Sequence, residues 1–248
     1  MDRIAYRSIG NAVLAVAVAG LVITAACGPE SGTAPTSSSP STATTPPTPS
    51  PSMLRLVVLG DSIASGTPIG GQGVNGWPSI VAQKLGLLAL LSAQPGTGYT
   101  KDYGAGYAYT ARVSAVIALR PNLLIVEGSR NDVDAAATKR AATSVLSQLH
   151  SALPQAKILV IGPLYLDKTG LRTTPINDAV KGAAASVGLT YIDTLKAGWF
   201  SGSAHAFVGS DGIHPTDEGH RYLASLIIPL VTQMLPAGYP MPTPISSP

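Results

Sequence analysis

Five short apolar runs punctuate this sequence, and each is followed by a longer segment with helical periodicity. The runs are Met53 to Leu59, Leu87 to Ala93, Asn122 to Val126, Lys157 to Ile161 and Leu189 to Ile192, each trailed closely by Gly, Pro or Asp. Their length suits strands, and their nearly continuous apolar character suits strands buried on both faces. The helical patterns cover Trp77 to Leu85, Ala111 to Leu119, Ala135 to Leu153, Pro175 to Val187 and Thr216 to Leu235. Strand then helix, five times over, is the signature of a parallel sheet with helices on both faces. Right-handed crossovers restrict this to a doubly wound α/β fold: a flavodoxin-like three-layer α/β/α sandwich with a five-stranded parallel sheet, spanning 53–238.

The flanks cannot join that core. Asp2, Arg3 and Arg7 make a short, net basic start, and Ala12 to Ala26 is an uncharged apolar run, the layout of an export signal. It ends in Thr24-Ala25-Ala26-Cys27-Gly28, which resembles the bacterial lipoprotein cleavage box. Positions 1–26 therefore read as a lipoprotein signal peptide, with Cys27 as the lipidated first residue after cleavage. From Gly28 to Ser52, 7 Pro, 7 Ser and 6 Thr account for 20 of 25 residues, so 27–52 reads as a solvated tether. As polyproline helix it would reach about 75 Å. Positions 239–248 read as a disordered tail. The expectation is an exported protein, lipid-anchored on the extracytoplasmic face of the cell membrane.

Composition excludes several classes. With 16 Lys+Arg against 13 Asp+Glu and 12% charged residues, there is no basic stripe for a nucleic-acid backbone. One cysteine in 248 residues rules out an internal disulfide framework and a Cys-rich zinc site. No Gly-Lys-Ser/Thr follows the Gly-rich stretches, which disfavours a phosphate-loop enzyme. No metal or cofactor is expected.

In a doubly wound sheet, ligands sit at the carboxyl ends of the strands. Gly60-Asp61-Ser62 follows the first run, Gln94-Pro95-Gly96-Thr97-Gly98 the second and Gly128-Ser129-Arg130-Asn131-Asp132 the third, while Asp211-Gly212-Ile213-His214-Pro215 precedes the last helix. A serine is a poor nucleophile until a base takes its proton, and a histidine serves as base only when its other ring nitrogen is held. Asp211 and His214 can supply orienter and base from one loop. Pro215 keeps His214 extended, and Thr216 is a natural N-cap with Asp217 and Glu218 in the first turn. The amides of Ser62 and Gly96 and the side chain of Asn131 can act as donors to a developing oxyanion.

In their order along the chain these blocks resemble the SGNH (GDSL-type) hydrolase family, from Met53 to about Leu235. The resemblance implies Ser62 as nucleophile, His214 as general base, Asp211 as its partner, and Ser62, Gly96 and Asn131 as the oxyanion hole. It implies a carboxylic ester hydrolase working through an acyl-enzyme, on a small-molecule or glycan ester. Two blocks depart from the pattern: Leu91 stands where an Asn is usual, and Ser129 occupies a glycine place. Gly98 is the reserve for Gly96.

Other residues have plainer readings. Asp61 and Asp132 brace loops, and Asn131 alone would cap a turn. Asp217 and His220 read as a carboxylate and a solvent-facing imidazole on the last helix, and His150 and His205 as surface positions. Tyr99, Tyr103, Tyr107 and Tyr109 read as loop packing, with a cleft wall as the alternative. The Gly-rich stretch Ser65 to Trp77 reads as a mobile rim. The rivals to an esterase are a non-catalytic envelope binding lipoprotein on the same fold and a metal-dependent hydrolase built on Asp211 and His214.

Overall fold

The computed structural model describes residues 53–104, 106–164 and 173–242. The export signal, Cys27 and the tether lie outside the described residues, as does the tail from 243 onward.

The five strands are β1 (Arg55–Gly60), β2 (Leu88–Ala93), β3 (Leu123–Glu127), β4 (Lys157–Ile161) and β5 (Thr190–Ile192). All neighbours pair in parallel, in the order β2-β1-β3-β4-β5. This is the flavodoxin-like order anticipated from the alternation. The helices are α1 (Ser62–Ser65), α2 (Trp77–Leu85), α3 (Tyr109–Ala118), α4 (Ala135–Ala152), α5 (Thr173–Val187) and α6 (Asp217–Met234), with short 3-10 segments at Gly73–Asn75 and Gly202–Phe207. Neither the one-turn α1 nor the 3-10 segments are visible as periodicity, because elements that short carry no repeat.

Alternate residues of each strand feed two cores. Leu56 and Val58 of β1, with Ile125 and Ile161, pack under α2 and α6 against Trp77, Val81, Leu223 and Ile227. Val57 and Leu59, with Leu124, Val126 and Val160, pack under α3, α4 and α5. Burial on both faces explains why β1 and β3 read as unbroken apolar runs. The second run departs from that expectation. β2 is an edge strand, and Leu88 and Leu91 remain 45% and 44% exposed. An apolar run does not say whether a further strand lies beside it.

Ends of helices follow local chemistry. The Thr216 hydroxyl accepts the Gly219 amide at 3.1 Å as the N-cap of α6, and Asp134 caps α4 by accepting from Ala137 at 2.9 Å. The first residues of the expected tail are held: the Tyr239 hydroxyl donates to the Gly86 carbonyl at 2.6 Å.

Strand order reverses direction at β1 and β3. A crevice forms outside the carboxyl ends of strands at such a switch point, and the loops carrying Ser62 and Asn131 both leave the sheet there.

Candidate active site

Ser62 follows β1 through Gly60 and Asp61. The Asp61 carboxylate accepts the Ile63 amide at 2.9 Å, capping α1 and setting the turn that presents Ser62. From 152 residues away, His214 Nε2 lies 2.9 Å from Ser62 Oγ. On the other side of the ring, His214 Nδ1 lies 2.6 Å from Asp211 Oδ2. The remaining Asp211 oxygen accepts the amides of Ile213 and His214, each at 2.9 Å. Partial burial acts to raise the Asp211 carboxyl, but the His214 amide, the His214 ring and the Ile213 amide outweigh it and hold it below its ordinary range. An ionised carboxylate there keeps the proton on Nδ1 and leaves Nε2 to accept the serine proton.

The His214 loop is itself a closed turn. Its carbonyl accepts the Gly209 amide at 2.8 Å, and Thr216 donates its amide to Phe207 at 2.9 Å. The stretch Ser65 to Trp77, expected as a mobile rim, is tied to α6 behind this loop. The Gly71 amide and Asn75 Nδ2 donate to the two oxygens of Asp217 at 2.7 and 3.0 Å. His220 corrects the solvent-facing reading: it is 1% exposed, and its Nδ1 accepts the Trp77 amide at 3.3 Å. Its ring fills the space above Gly71, where a Cβ would fall 2.1 Å from Nε2. Burial, opposed by Asp217, pulls His220 down to about 4, so the ring is neutral at neutral pH. Sequence misread it because i, i+3 spacing on one helix does not say what packs over the helix. His150 is exposed as expected, whereas His205 is half-buried.

The loops after β2 and β3 are fastened to each other. Asp132 accepts the amides of Tyr99, Thr100 and Lys101 at 2.9, 2.8 and 2.9 Å, and the Thr100 hydroxyl at 2.7 Å. Ser129, at the unusual glycine place, donates its hydroxyl to the Thr97 carbonyl at 3.0 Å and accepts the Asn131 amide at 2.9 Å. Asn131 Nδ2 donates to the Thr97 carbonyl at 2.9 Å and reaches Asp61 Oδ2 at 3.3 Å. This brings the Asn131 amide beside the turn that carries Ser62. The two candidate glycines now separate. Gly98 donates its amide to Lys101 at 2.9 Å and is buried against Asp132, so it is committed to the loop. Gly96 has φ +73° and is half-buried, with the Tyr103 side chain packed on it.

The tyrosine stretch divides. Tyr99 and Tyr109 are fully buried, ring centroids 4.9 Å apart, while Tyr103 and Tyr107 are 72% and 48% exposed.

Three buried charged groups beneath the site were not anticipated as such. Arg112 of α3 donates to the carbonyls of Ser92 and Gly60 and to the Thr97 hydroxyl, tying the ends of β1 and β2 to the loop beyond. Asp61 is 1% exposed; burial raises its carboxyl to about 6 against the pull of the Ile63 amide and of His214. Glu127, the last residue of β3, is also 1% exposed, and neither carboxyl oxygen makes a well-formed hydrogen bond. Burial, with the Asp61 charge adding to it and the Asp61 amide opposing, pushes Glu127 well above its ordinary range. Burial thus favours the neutral form of Glu127. A single carboxylate ending an apolar run carries no sign in sequence that it lies under the turn.

Among the described residues no cluster of His, Cys, Asp or Glu has the arrangement of a metal site. What the geometry allows is transfer of the Ser62 proton to His214 beside amide donors. Residues 58–222 match the GDSL-like Lipase/Acylhydrolase family. The chain belongs to this family. Within it, the GDSL lipase Rv0518 of Mycobacterium tuberculosis is 29% identical over 192 residues, covering 73% of this chain and 82% of that protein. Among solved structures, the lipase/acylhydrolase from Enterococcus faecalis shares the fold with a TM-score of 0.61 at 19% identity, over 74% of this chain and 98% of the other. A family two carbohydrate esterase from Clostridium thermocellum, in complex with cellohexaose, gives 0.56 at 20% identity, over 75% of this chain and 65% of the other. The family is one of lipases and acylhydrolases, and its membership makes this chain a hydrolase of that kind.

Proposed function

We propose that this GDSL-family hydrolase is a serine carboxylic-ester hydrolase that works through an acyl-enzyme. The observation that carries the reading is the chain of contacts Ser62 Oγ to His214 Nε2 at 2.9 Å and His214 Nδ1 to Asp211 Oδ2 at 2.6 Å. As Ser62 attacks the ester carbonyl, its proton passes to Nε2, and Asp211 stabilises the imidazolium. The carbonyl oxygen becomes negative and is met by the Ser62 and Gly96 amides and by Asn131 Nδ2, which turns to it the N–H that reaches Asp61 at 3.3 Å. The Ser62 amide opens α1, where a helix leaves its first N–H groups without intrahelical partners. The intermediate collapses, the C–O bond to the alcohol breaks, and Nε2 returns the proton to the departing oxygen. Water then repeats both steps on the acyl-enzyme, releasing the acid and restoring Ser62.

The substrate is an ester of an envelope glycan or of a small lipid, and the enzyme acts on the extracytoplasmic face, held by a lipidated Cys27. The N-terminal apolar run ending at the chain's single cysteine supports the location. Relatives described as a lipase and as a carbohydrate esterase support the two substrate classes.

The decisive test is Ser62→Ala on nitrophenyl esters of graded chain length. A folded variant with activity reduced by 10³-fold or more, about the loss expected for a missing nucleophile, supports the reading, as does labelling of Ser62 by a fluorophosphonate. A folded wild-type protein that never labels and cleaves no ester leaves the binding-protein reading. Cys27→Ser moves the protein from the membrane to the soluble fraction if the anchor is as described.

A further inference from the structure

The exposed half of the tyrosine stretch lies outside both hydrophobic cores. Tyr99 and Tyr109 bury their rings in the core, but Tyr103 leaves 72% and Tyr107 48% of its surface in water. The segment that displays them is well held. Asp132 fastens the amides of Tyr99, Thr100 and Lys101. Asp102 then accepts the amides of Gly106 and Tyr107, each at 2.9 Å. Two large rings are thus kept in solvent by a braced loop, although elsewhere aromatic surface of this size goes to a core or an interface.

Their place is beside the chemistry. A Cβ built on Gly96 would fall 3.3 to 3.6 Å from the Tyr103 ring and Cβ, so this side chain lies directly on the oxyanion glycine. Gly96 precedes Thr97, whose carbonyl holds Asn131, and Asn131 reaches back to Asp61 next to Ser62. Tyr107 continues the same loop, with its ring 3.8 Å from the Cβ position of Gly104.

The geometry points to a ring-stacking subsite, formed by Tyr103 and Tyr107, for the sugar of an O-acylated pyranoside. This deepens the esterase reading and rests on it. An acyl chain gains from an enclosed apolar channel that removes it from water on all sides. An open shelf buries one face only, which suits a flat, rigid ligand. A pyranose has an apolar C–H face for the ring and hydroxyls for the phenol tip and for the polar flank of Thr100, Lys101 and Asp102, of which all three are exposed. The sugar is the alcohol portion of the ester, so it leaves with the first half-reaction.

The test compares an O-acetylated methyl pyranoside, phenyl acetate and ethyl acetate on the full-length protein and on Tyr103→Ala, Tyr103→Leu and Tyr103→Trp. Stacking predicts that the ratio of kcat/KM for the sugar ester to that for ethyl acetate falls about tenfold in the Ala and Leu variants and is rescued by Trp. Deacylation of the common acetyl-enzyme, read from pre-steady-state bursts, changes alike for all three esters. A ratio unchanged in the Ala variant overturns the subsite while leaving the Ser62 reading intact. A larger fall on phenyl acetate than on the sugar ester overturns the assignment to a sugar, and rescue by Leu overturns stacking in favour of an apolar chain. Loss of neither activity in Ser62→Ala removes the underlying esterase reading instead.

Discussion

Asp211 holds His214 through two hydrogen bonds, and the preceding residue Ile213 through a third, from within one short loop. Oδ2 meets Nδ1 of the ring at 2.6 Å, while Oδ1 accepts the His214 amide at 2.9 Å and the Ile213 amide at 2.9 Å. The backbone contacts orient the carboxylate before it touches the ring. Asp211→Asn can keep Oδ1 on the two amides, but it turns an N–H donor toward Nδ1. The imidazole must then place its proton on Nε2, where it faces Ser62 and cannot act as base. We expect kcat to fall by about 10⁴ with little change in melting temperature. Steady-state kinetics beside a thermal melt check this; a variant within tenfold of the parent would remove Asp211 from the mechanism.

Gly98 and Asp132 make a contact that should respond to a single methyl group. A Cβ at Gly98 would lie 2.5 Å from Asp132 Oδ2 and 2.7 Å from Ser129 Oγ, the two side chains that fasten the neighbouring loop. Gly98→Ala is expected to destabilise by about 1–3 kcal/mol, through overpacking at a buried point. It should also lower kcat more than KM, because Asn131 shares this frame. Urea melts and kinetics on one ester read both; an unaltered urea midpoint would contradict the packing.

His220 couples stability to mild acid. Burial lowers its folded value to about 4 from an ordinary 6.5. Between those values the unfolded chain binds a proton that the folded one refuses, so stability rises with pH across this window and is lost as pH falls through it. The size is roughly 3 kcal/mol at most. In His220→Gln, whose side chain does not titrate, this component is absent. The stability difference between parent and variant should therefore shrink as pH drops from 7.5 to 5. Parallel pH profiles for the two proteins would rule the coupling out.

Glu127 acts in the opposite sense. Its folded value is raised above the ordinary 4.5, so the stability it contributes is fully present below 4.5 and declines as pH climbs toward the folded value. Glu127→Gln replaces a neutral acid with a neutral amide of similar shape. Relative to the parent it should become progressively more stable as pH rises above 4.5, whereas Glu127→Ala should be destabilised at every pH by the space it leaves. Equilibrium unfolding at three pH values separates the cases, and a pH-independent effect of Gln would show that the carboxyl does not hold its proton.

Much of this was legible in the residues themselves. The strands at 55–60 and 157–161 and the helix at 77–85 follow from apolar continuity and period, which depend on neighbours in sequence. Ser62, His214 and Asp211 stood out because a turn after a strand and an Asp-x-x-His-Pro loop are local patterns. What stayed hidden was whatever depends on who packs across the gap. His220 looked like a surface residue until Gly71 closed over it; Glu127 ended a strand and lay under Asp61; Arg112 reached from α3 to the ends of β1 and β2. The four tyrosines are alike in sequence, yet two became core and two stayed exposed.

Local order along the chain thus determined the layers, the strand sequence and the residue types at each loop. The 2.9 Å approach of Ser62 to His214, and the tie of the Gly98 amide to Lys101, came only from tertiary structure. The reason is physical: the sheet's switch point brings loops from distant segments to one edge, and the fit of side chains across that edge is a property of three-dimensional packing that no sequence period encodes.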